Sequence, residues 1–393
     1  MKAIILASGN GLRFLPLSKT IPKPLTKLLG KSIIEHNLDS LKGIVSEVII
    51  VIGYLGNKIK DAIGSNYRGI KITYIIDNEI IGTGNSARLA VSKIKGEKVI
   101  VMNGDDLYQK SDILSLIKKC PAIALKKVFN PSSFGIVTIQ DNKAVQIEEK
   151  PENPKSNFAN IGLYCFPTFI FDEKIKRSER GEYEITDYVK KLIELDNLNF
   201  IEAKHWVPAS YPWDLFNMAE LLFKRLKFQK YGKVERGAFI KGKVYLGKNT
   251  TIKSGVYIEG PVYIGDNVKV GPNAYIRENT IIENNCSIGA SVEIKNSIIG
   301  ENTNVNHLSY VGDSVISSNV NLGAGTIIAN LRHDKKPIKS LVNDVLIDTK
   351  REKLGSIIGE NVKTGVSTVI YPGKKIWPNK ITYPQEKVEK DLI

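Results

Sequence analysis

Two unlike patterns in one chain predict its fold class: an α/β half with a parallel sheet, then a coil of short parallel strands. Over residues 1–225 short aliphatic runs alternate with helix-like stretches, the rhythm of a parallel sheet covered by helices. After Gly232 aliphatic residues recur at every sixth position: Ile240, Leu246, Ile252, Ile258, Ile264, Val270, Ile276, Ile282, Ile288 and Ile294. A flat strand needs a period of about 2 and a helix about 3.6, whereas a period of six puts one inward residue on each face of a triangular coil.

The chain has 393 residues, enough for two or three separate cores. Hydrophobic residues make up 42% and charged residues 25%, as in ordinary soluble proteins. No apolar run is long enough to span a bilayer and the N-terminus carries no leader pattern, so the expectation is a cytoplasmic protein without a membrane partner. The net charge of +15 comes from lysines spread along the chain without an aromatic-interleaved basic motif, which points away from nucleic acid and toward phosphorylated small substrates and a solvated surface. Cys120, Cys165 and Cys286 have no paired spacing, so neither a disulfide framework nor a zinc site is expected.

In chain order, the first strand candidate is Lys2–Ala7, followed by the turn Ser8-Gly9-Asn10-Gly11-Leu12-Arg13. Two glycines let backbone N–H groups approach an anion, and Arg13 adds charge-assisted hydrogen bonds. A plain strand-to-helix turn reads the same glycines equally well. Further strands are expected at 47–52, 71–75, 98–102, 122–126 and 135–139, with helices at 33–41 and 84–92. Ligands of such sheets bind beyond the carboxyl ends of the strands. There Asp105 ends an aliphatic run, as a Mg²⁺ ligand or a turn residue, and Asp106 is read as a turn residue.

Together, Leu6-Ala7-Ser8-Gly9-Asn10-Gly11-Leu12-Arg13, Pro16-Leu17 and Pro22-Lys23-Pro24 resemble the signature of the sugar-1-phosphate nucleotidylyltransferases. The resemblance implies a Rossmann-like α/β nucleotidyltransferase domain in which Arg13 and Lys23 are catalytic and Leu6, Ala7, Gly9, Gly11, Gly82, Thr83 and Asp105 bind the nucleotide. It implies Mg²⁺ on Asp105 and Asp214, the latter in Trp213-Asp214, although Leu215-Phe216-Asn217 departs from the small residues usual after that Asp. Gly135, Glu149, Lys150 and Asn160 match the sugar-binding segments. Glu184-Ile185-Thr186-Asp187 fits the family too, and a helix cap also explains it. The glutamine that often reads uracil or thymine is missing, with Asp77-Asn78-Glu79 in its region, so UTP and dTTP both stay open as donors. N-acetylglucosamine-1-phosphate and glucose-1-phosphate stay open as acceptors.

The six-residue period slips and resumes at Ile299, Val305 and Val311 and again at Ile316, Leu322 and Ile328, breaks over Ala329–Lys353, and returns at Ile358, Ile370 and Ile376. This resembles the left-handed parallel β-helix of hexapeptide-repeat acyltransferases, and the two halves together resemble the archaeal type of the bifunctional enzymes that make UDP-N-acetylglucosamine. That resemblance implies a homotrimer with acetyl-CoA as co-substrate and glucosamine-1-phosphate or galactosamine-1-phosphate as acceptor. It makes His307, in Asn306-His307-Leu308-Ser309-Tyr310, the base. Arg277, Lys295, Tyr310, Asn321, Asn330, Lys336 and Lys339 would hold the sugar phosphate and hydroxyls, and the Ala324 amide would face the thioester oxygen. Two rival readings follow from the same sequence: nucleotidyl transfer alone with the β-helix as a trimerising scaffold, or a non-catalytic assembly subunit. The expected division is 1–225 nucleotidyltransferase, 226–237 connector, 238–380 β-helix and 381–393 tail, with the 329–353 excursion either a disordered loop or an arm toward a neighbouring subunit.

Overall fold

The computed structural model describes every residue except Lys95 and Arg180. Its chain divides into two compact units, residues 1–10 with 33–208 and residues 11–32 with 209–393.

The first unit is built on a mixed sheet. Its aliphatic strands Lys98–Asn103, Lys2–Ala7, Glu47–Ile52 and Ile70–Ile76 lie side by side in parallel, and Ile4, Ile5, Val48, Ile50, Val99 and Val101 are fully buried. Runs without alternation are what a sheet covered on both faces requires. Helices Ile33–Leu41 and Thr83–Val91 stand where the periodicity puts them. The expected all-parallel arrangement is corrected at one side, where Phe158–Pro167 runs antiparallel to both Lys98–Asn103 and Ala122–Lys127, and Gly135–Gln140 forms a hairpin with Lys143–Glu149. Those strands carry the residues matched to the sugar segments.

The second unit is a left-handed parallel β-helix with three sheets, each made of strands of two to four residues. The period-six residues form its interior columns, for example Ile258, Ile276, Ile294, Val311 and Ile328, paired in register and almost fully excluded from water. A single coil cannot bury its own face; each coil covers the next, at roughly 1.5–3 kcal/mol per buried aliphatic side chain. The slips in the sequence pattern have a simple cause. Partners in adjacent coils stand 18 residues apart at Lys241 and Glu259 but 17 apart at Asn296 and Asp313, because one corner has lost a residue. Ser297 and Ser314, both fully buried there, take up the backbone groups of the shortened corner: the Ser314 N–H donates to Ser297 Oγ at 3.0 Å and the Ser356 N–H to Ser314 Oγ at 3.1 Å. At another corner Asn249, Asn267, Asn285, Asn302, Asn319, Asn361 and Asn379 all have positive φ, and Asn249, Asn267 and Asn285 pass side-chain hydrogen bonds from coil to coil. Asparagine tolerates that conformation better than other residues with a Cβ.

Two readings of this half are corrected. The 329–353 excursion is ordered: Lys339–Val342 and Val345–Asp348 form an antiparallel hairpin, and Leu331 bridges to Lys353. Within the chain, its Arg351 donates to Asn217 Oδ1 at 2.7 Å. The closing residues add another coil, with Lys387–Val388 paired to Val369–Ile370 and Leu392 bridged to Ile376.

Candidate active sites

In the first unit the carboxyl ends of the parallel strands hold Ala7, Gly9 and Asp105. The Gly104 N–H donates to the Leu6 carbonyl at 2.8 Å, which ties the turn before Asp105 to the end of the first strand. Ser8 Oγ meets Ser86 Oγ at 3.2 Å, and Ser86 also donates to the buried carboxylate of Asp77 at 2.5 Å. Asp77 accepts the Ile80 N–H as well, and so fixes the turn leading to Gly82 and Thr83 at the start of their helix. Sequence reading noted Asp77 only as standing in the region of the missing glutamine; its partners Ser86 and Ile80 come from folding.

The sugar-segment residues converge through strand register. Gly135 lies directly opposite Glu149, and its neighbour Ile136 pairs with Ala159 beside Asn160. A Cβ on Gly135 would stand 2.9 Å from Glu149 Oε2, so the missing side chain is the space the carboxylate occupies. Asn160 donates to Tyr164 Oη at 2.7 Å and accepts the Gly162 N–H at 3.1 Å. Lys150 follows Glu149 with φ of 46°, its N–H bonded to the Phe134 carbonyl at 3.1 Å.

Asp106 is no turn residue. It is 7% exposed and accepts from Trp206 Nε1 at 3.1 Å, Tyr108 Oη at 3.3 Å and Asn103 Nδ2 at 3.4 Å. Tyr108 in turn donates to the Ile161 carbonyl at 2.7 Å, and Trp206 packs edge-on against Phe134 with ring centres 5.5 Å apart. One buried carboxylate therefore joins the strand end before Asp105 to the segments around Asn160 and Gly135; burial, with Asp106 beside it, pushes the Tyr108 hydroxyl well above its ordinary pKa. Glu184 occupies the position before the Ile185–Glu194 helix without making a side-chain cap bond, which corrects the capping reading; it is buried and accepts from Ser178 Oγ at 3.1 Å.

In the second unit Arg13, Lys23 and Asp214 come together around Tyr211. Gly11 has φ of 63° and its carbonyl accepts Ser18 Oγ at 2.7 Å, which sets the turn that presents Arg13. The Arg13 guanidinium lies 5.8 Å over the Tyr211 ring, and Tyr211 stacks on Trp213. Lys23 donates to the Ala209 carbonyl at 2.8 Å. Asp214 accepts the Tyr211 N–H at 2.7 Å; burial raises its pKa to about 6, against the opposing pull of backbone N–H groups and of Arg351 and Lys23.

The β-helix gathers a second set. Arg277 and Lys295 follow the paired residues Ile276 and Ile294, so they stack outward in one column, with Tyr310 and Asn330 on neighbouring coils of the same sheet and its corner. Arg277 Nη1 bonds Glu293 Oε1 at 3.1 Å, while its Nε is buried without a hydrogen-bond partner among the described residues. Asp313 binds Lys295 Nζ at 3.5 Å and Asn330 Nδ2 at 2.5 Å, and Asn330 also donates to Tyr310 Oη at 3.2 Å. Asp313 was invisible as a site-shaping residue in sequence because it reads as an ordinary corner Asp. His307 is exposed at the end of the neighbouring sheet; its carbonyl accepts the Gly325 N–H at 3.1 Å, which places Ala324 in the adjoining coil. Asn321 lies on that sheet, in the strand paired to Asn304–Val305. Lys336 and Lys339 stand exposed on the insertion, and no hydrogen bond or ion pair among the described residues joins them to the Arg277 cluster.

A nucleotidyl transferase family profile matches residues 2–214, and a profile described as the GMPPB C-terminal domain matches residues 258–390. A Methanococcus maripaludis protein named bifunctional protein GlmU is 43% identical over 398 residues, covering 100% of this chain and 95% of the relative. Its namesake from Methanocaldococcus jannaschii is 39% identical over 383 residues, covering 96% and 92%. A Sulfurisphaera tokodaii protein named bifunctional sugar-1-phosphate nucleotidylyltransferase/acetyltransferase is 40% identical over 400 residues, covering 100% and 98%. Among solved structures, a Bacillus anthracis chain assigned as a glucose-1-phosphate thymidylyltransferase, crystallised with sucrose, matches at 28% identity with a TM-score of 0.53, over 58% of this chain and 98% of that one.

Proposed function

Because the chain belongs to the family of bifunctional sugar-1-phosphate nucleotidylyltransferase/acetyltransferases, we propose that it N-acetylates an amino-sugar 1-phosphate and then transfers a nucleotidyl group to the product. The observation that carries the reading is the presence of two clusters of charged and polar residues, Arg13, Lys23 and Asp214 in one and Arg277, Lys295, Tyr310 and Asn330 in another.

In nucleotidyl transfer the anionic oxygen of the sugar phosphate attacks the α-phosphorus of UTP or dTTP, and pyrophosphate leaves. No protein base is needed, since the nucleophile is already ionised near neutral pH. The protein holds two repelling anions in line and offsets the charge that builds up, tasks assigned to Arg13, Lys23 and the loop amides of Gly9 and Gly11. Gly82 and Thr83 are assigned to the base, and Glu149, Lys150 and Asn160 to the sugar and its phosphate. Asp105 and Asp214 would hold Mg²⁺, and their chemistry fits, since hard carboxylate oxygens are the donors that ion prefers. Bound there, such an ion would neutralise phosphate charge.

In acetyl transfer the sugar amine attacks the thioester carbonyl of acetyl-CoA and the coenzyme A thiol departs. His307 takes the proton from the attacking nitrogen, as neutral imidazole does near pH 7. The Ala324 amide donates to the oxygen that becomes negative. Arg277, whose Nε faces Glu278 at 3.9 Å and whose Nη1 bonds Glu293, and Lys295, with Nζ anchored on Asp313, are assigned to the sugar phosphate. Exposed Val366, Tyr371, Ile381 and Tyr383 on the late coils support packing of copies into the expected homotrimer, to be read as three times the chain mass in light scattering. No helix among the described residues is long and apolar enough to cross a membrane.

The test offers glucosamine-1-phosphate and galactosamine-1-phosphate with acetyl-CoA and follows thiol release, then offers the N-acetyl product and glucose-1-phosphate with UTP or dTTP and follows pyrophosphate. Thiol release is expected to vanish in His307→Ala, and pyrophosphate release to fall at least about 100-fold in Asp105→Ala with little change in Tm. Pyrophosphate without any thiol release from the parent would reduce the β-helix to a scaffold.

A further inference from the structure

We infer that two carboxylates of the β-helix, Glu283 and Glu301, are positioning residues for nucleotidyl transfer, acting through the hairpin that follows Lys23. The inference rests on the nucleotidyl reading above and names residues outside every segment matched to that reaction.

Segment 11–32 carries Arg13 and Lys23, yet it packs with residues 209–393 rather than with the strand it continues. Beyond the Lys23–Leu25 turn, Lys27–Leu28 pairs antiparallel with Lys31–Ser32, leaving Leu29 and Gly30 at the tip with φ of 55° and 78°. The Gly30 N–H donates to both oxygens of Glu283, at 3.2 and 3.1 Å. A Cβ on Gly30 would fall 2.4 Å from the hydroxyl of Tyr263, so the tip is seated as closely as backbone allows. At the flank Lys27 Nζ reaches Glu301 Oε2 at 2.7 Å, and Asn284 Nδ2 steadies the other oxygen of Glu301 at 3.1 Å.

Glu283 is out of pattern in its own fold. Its N–H bonds the carbonyl of the aliphatic residue one coil on, as do those of Gly247, Gly265, Gly300, Ser317, Gly359 and Trp377; apart from Trp377 on the last coil, the other members of that column are glycine or serine, and none but Glu283 carries a charge. A glutamate there, 1% exposed, contributes nothing to the interior of the coil, and an unpaired buried carboxylate costs several kcal/mol. The donor its carboxylate meets is the Gly30 N–H at the hairpin tip, so the cost is incurred for that contact. The turn bearing Lys23 runs directly into this hairpin, with the Thr26 N–H bonded to the Lys23 carbonyl at 3.0 Å. Anchoring the hairpin therefore fixes the path of the Lys23 backbone, and a misplacement of about 1 Å at such a group costs up to 100-fold in rate.

The experiment uses the full chain and the variants Glu283→Ala, Glu283→Gln and Lys27→Ala, the last at a half-exposed residue that threatens folding least. Expected in Glu283→Ala are a tenfold or larger fall in kcat for pyrophosphate release with KM for the nucleotide within about threefold, unchanged acetyl-CoA-dependent thiol release, and faster amide hydrogen exchange across residues 27–32. Glu283→Gln keeps an acceptor and should recover part of kcat; Lys27→Ala and Glu301→Ala should give equal losses that do not add in the double variant. An active parent with unchanged kcat in Glu283→Ala and Lys27→Ala overturns the positioning role alone. Unaltered exchange at 27–32 in Glu283→Ala overturns the anchor whatever the activity. A parent that releases no pyrophosphate overturns the nucleotidyl reading, and the role of these carboxylates falls with it.

Discussion

Glu283 shows how one residue can carry opposing demands. Burial and the nearby Glu301 push its carboxyl up to about 7, while Lys27 and the amides of Gly30 and Leu29 pull it down. Tyr263 packs on the same tip. The native pKa lies above the unfolded value of 4.5, so folding favours the protonated form. That contribution is present in full below about pH 4.5 and is lost as pH rises through about 7. Glu283→Gln removes the titration. Its thermal stability relative to the parent should therefore improve as pH goes from about 4.5 to 8, by roughly 3 kcal/mol at most. Thermal unfolding of both proteins across that range checks it; a constant difference would show that the carboxylate is not held in a desolvated site.

Among the elements, the corners of the β-helix are where local conformation and site coincide. One corner repeats a left-handed residue as Gly237, Gly255, Asn273, Ser291, Leu308, Gly325, Ser367 and Gln385, of which leucine alone is apolar. Leucine is the outlier there, with φ of 49° and 66% of its surface exposed, so its strain is not offset by burial. It also directly follows His307. Strained residues gather at functional sites, and this one sits at the proposed base. Leu308→Asn should raise stability by about 0.5–1 kcal/mol, because asparagine reaches that conformation at lower cost and little apolar area is given up. Denaturant unfolding measures it, and a loss of stability would mean that the exposed leucine has a packing partner. The shortened corner works differently: dropping a residue brings Asn296 and Asp313 into hydrogen-bond range at 2.6 Å and puts Asp313 against Lys295. The shortened corner thus accompanies the cluster of Lys295, Asp313 and Asn330.

For the whole molecule, the two proposed activities make different demands on the medium. As proposed above, nucleotidyl transfer would rely on Mg²⁺ to offset phosphate charge, whereas acetyl transfer would rely on a histidine and an amide. Chelation of divalent cations should abolish pyrophosphate release and leave thiol release within about twofold, and His307→Ala should do the converse. Both assays on one preparation check this, and loss of thiol release on chelation would call for a different acetyl-transfer chemistry. The positioning role of Glu283 and Glu301 adds a dependence of another kind. In that reading the β-helix sets the path of a catalytic lysine, so nucleotidyl transfer needs the helix even when its acetyl chemistry is silent.

Sequence by itself determined both halves of the fold, because their signals are local. An aliphatic residue every sixth position states which side chains face inward before any coil is built, and an uninterrupted aliphatic run such as Ile4–Leu6 states that a strand is covered on both faces. The candidate residues were legible for the same reason, since short motifs keep their spacing. Tertiary structure alone decided what holds those residues in place. Asp106 meets Trp206 and Glu283 meets Gly30 across chain separations over which no periodicity runs, and Asp313 meets Lys295 and Asn330 one coil away on either side, through side-chain geometry that the aliphatic repeat does not specify. It also turned the polar 329–353 stretch into a hairpin, through cross-strand pairing that its composition does not announce. A buried carboxylate carries no pattern of its own; its meaning comes from the donors that folding brings to it.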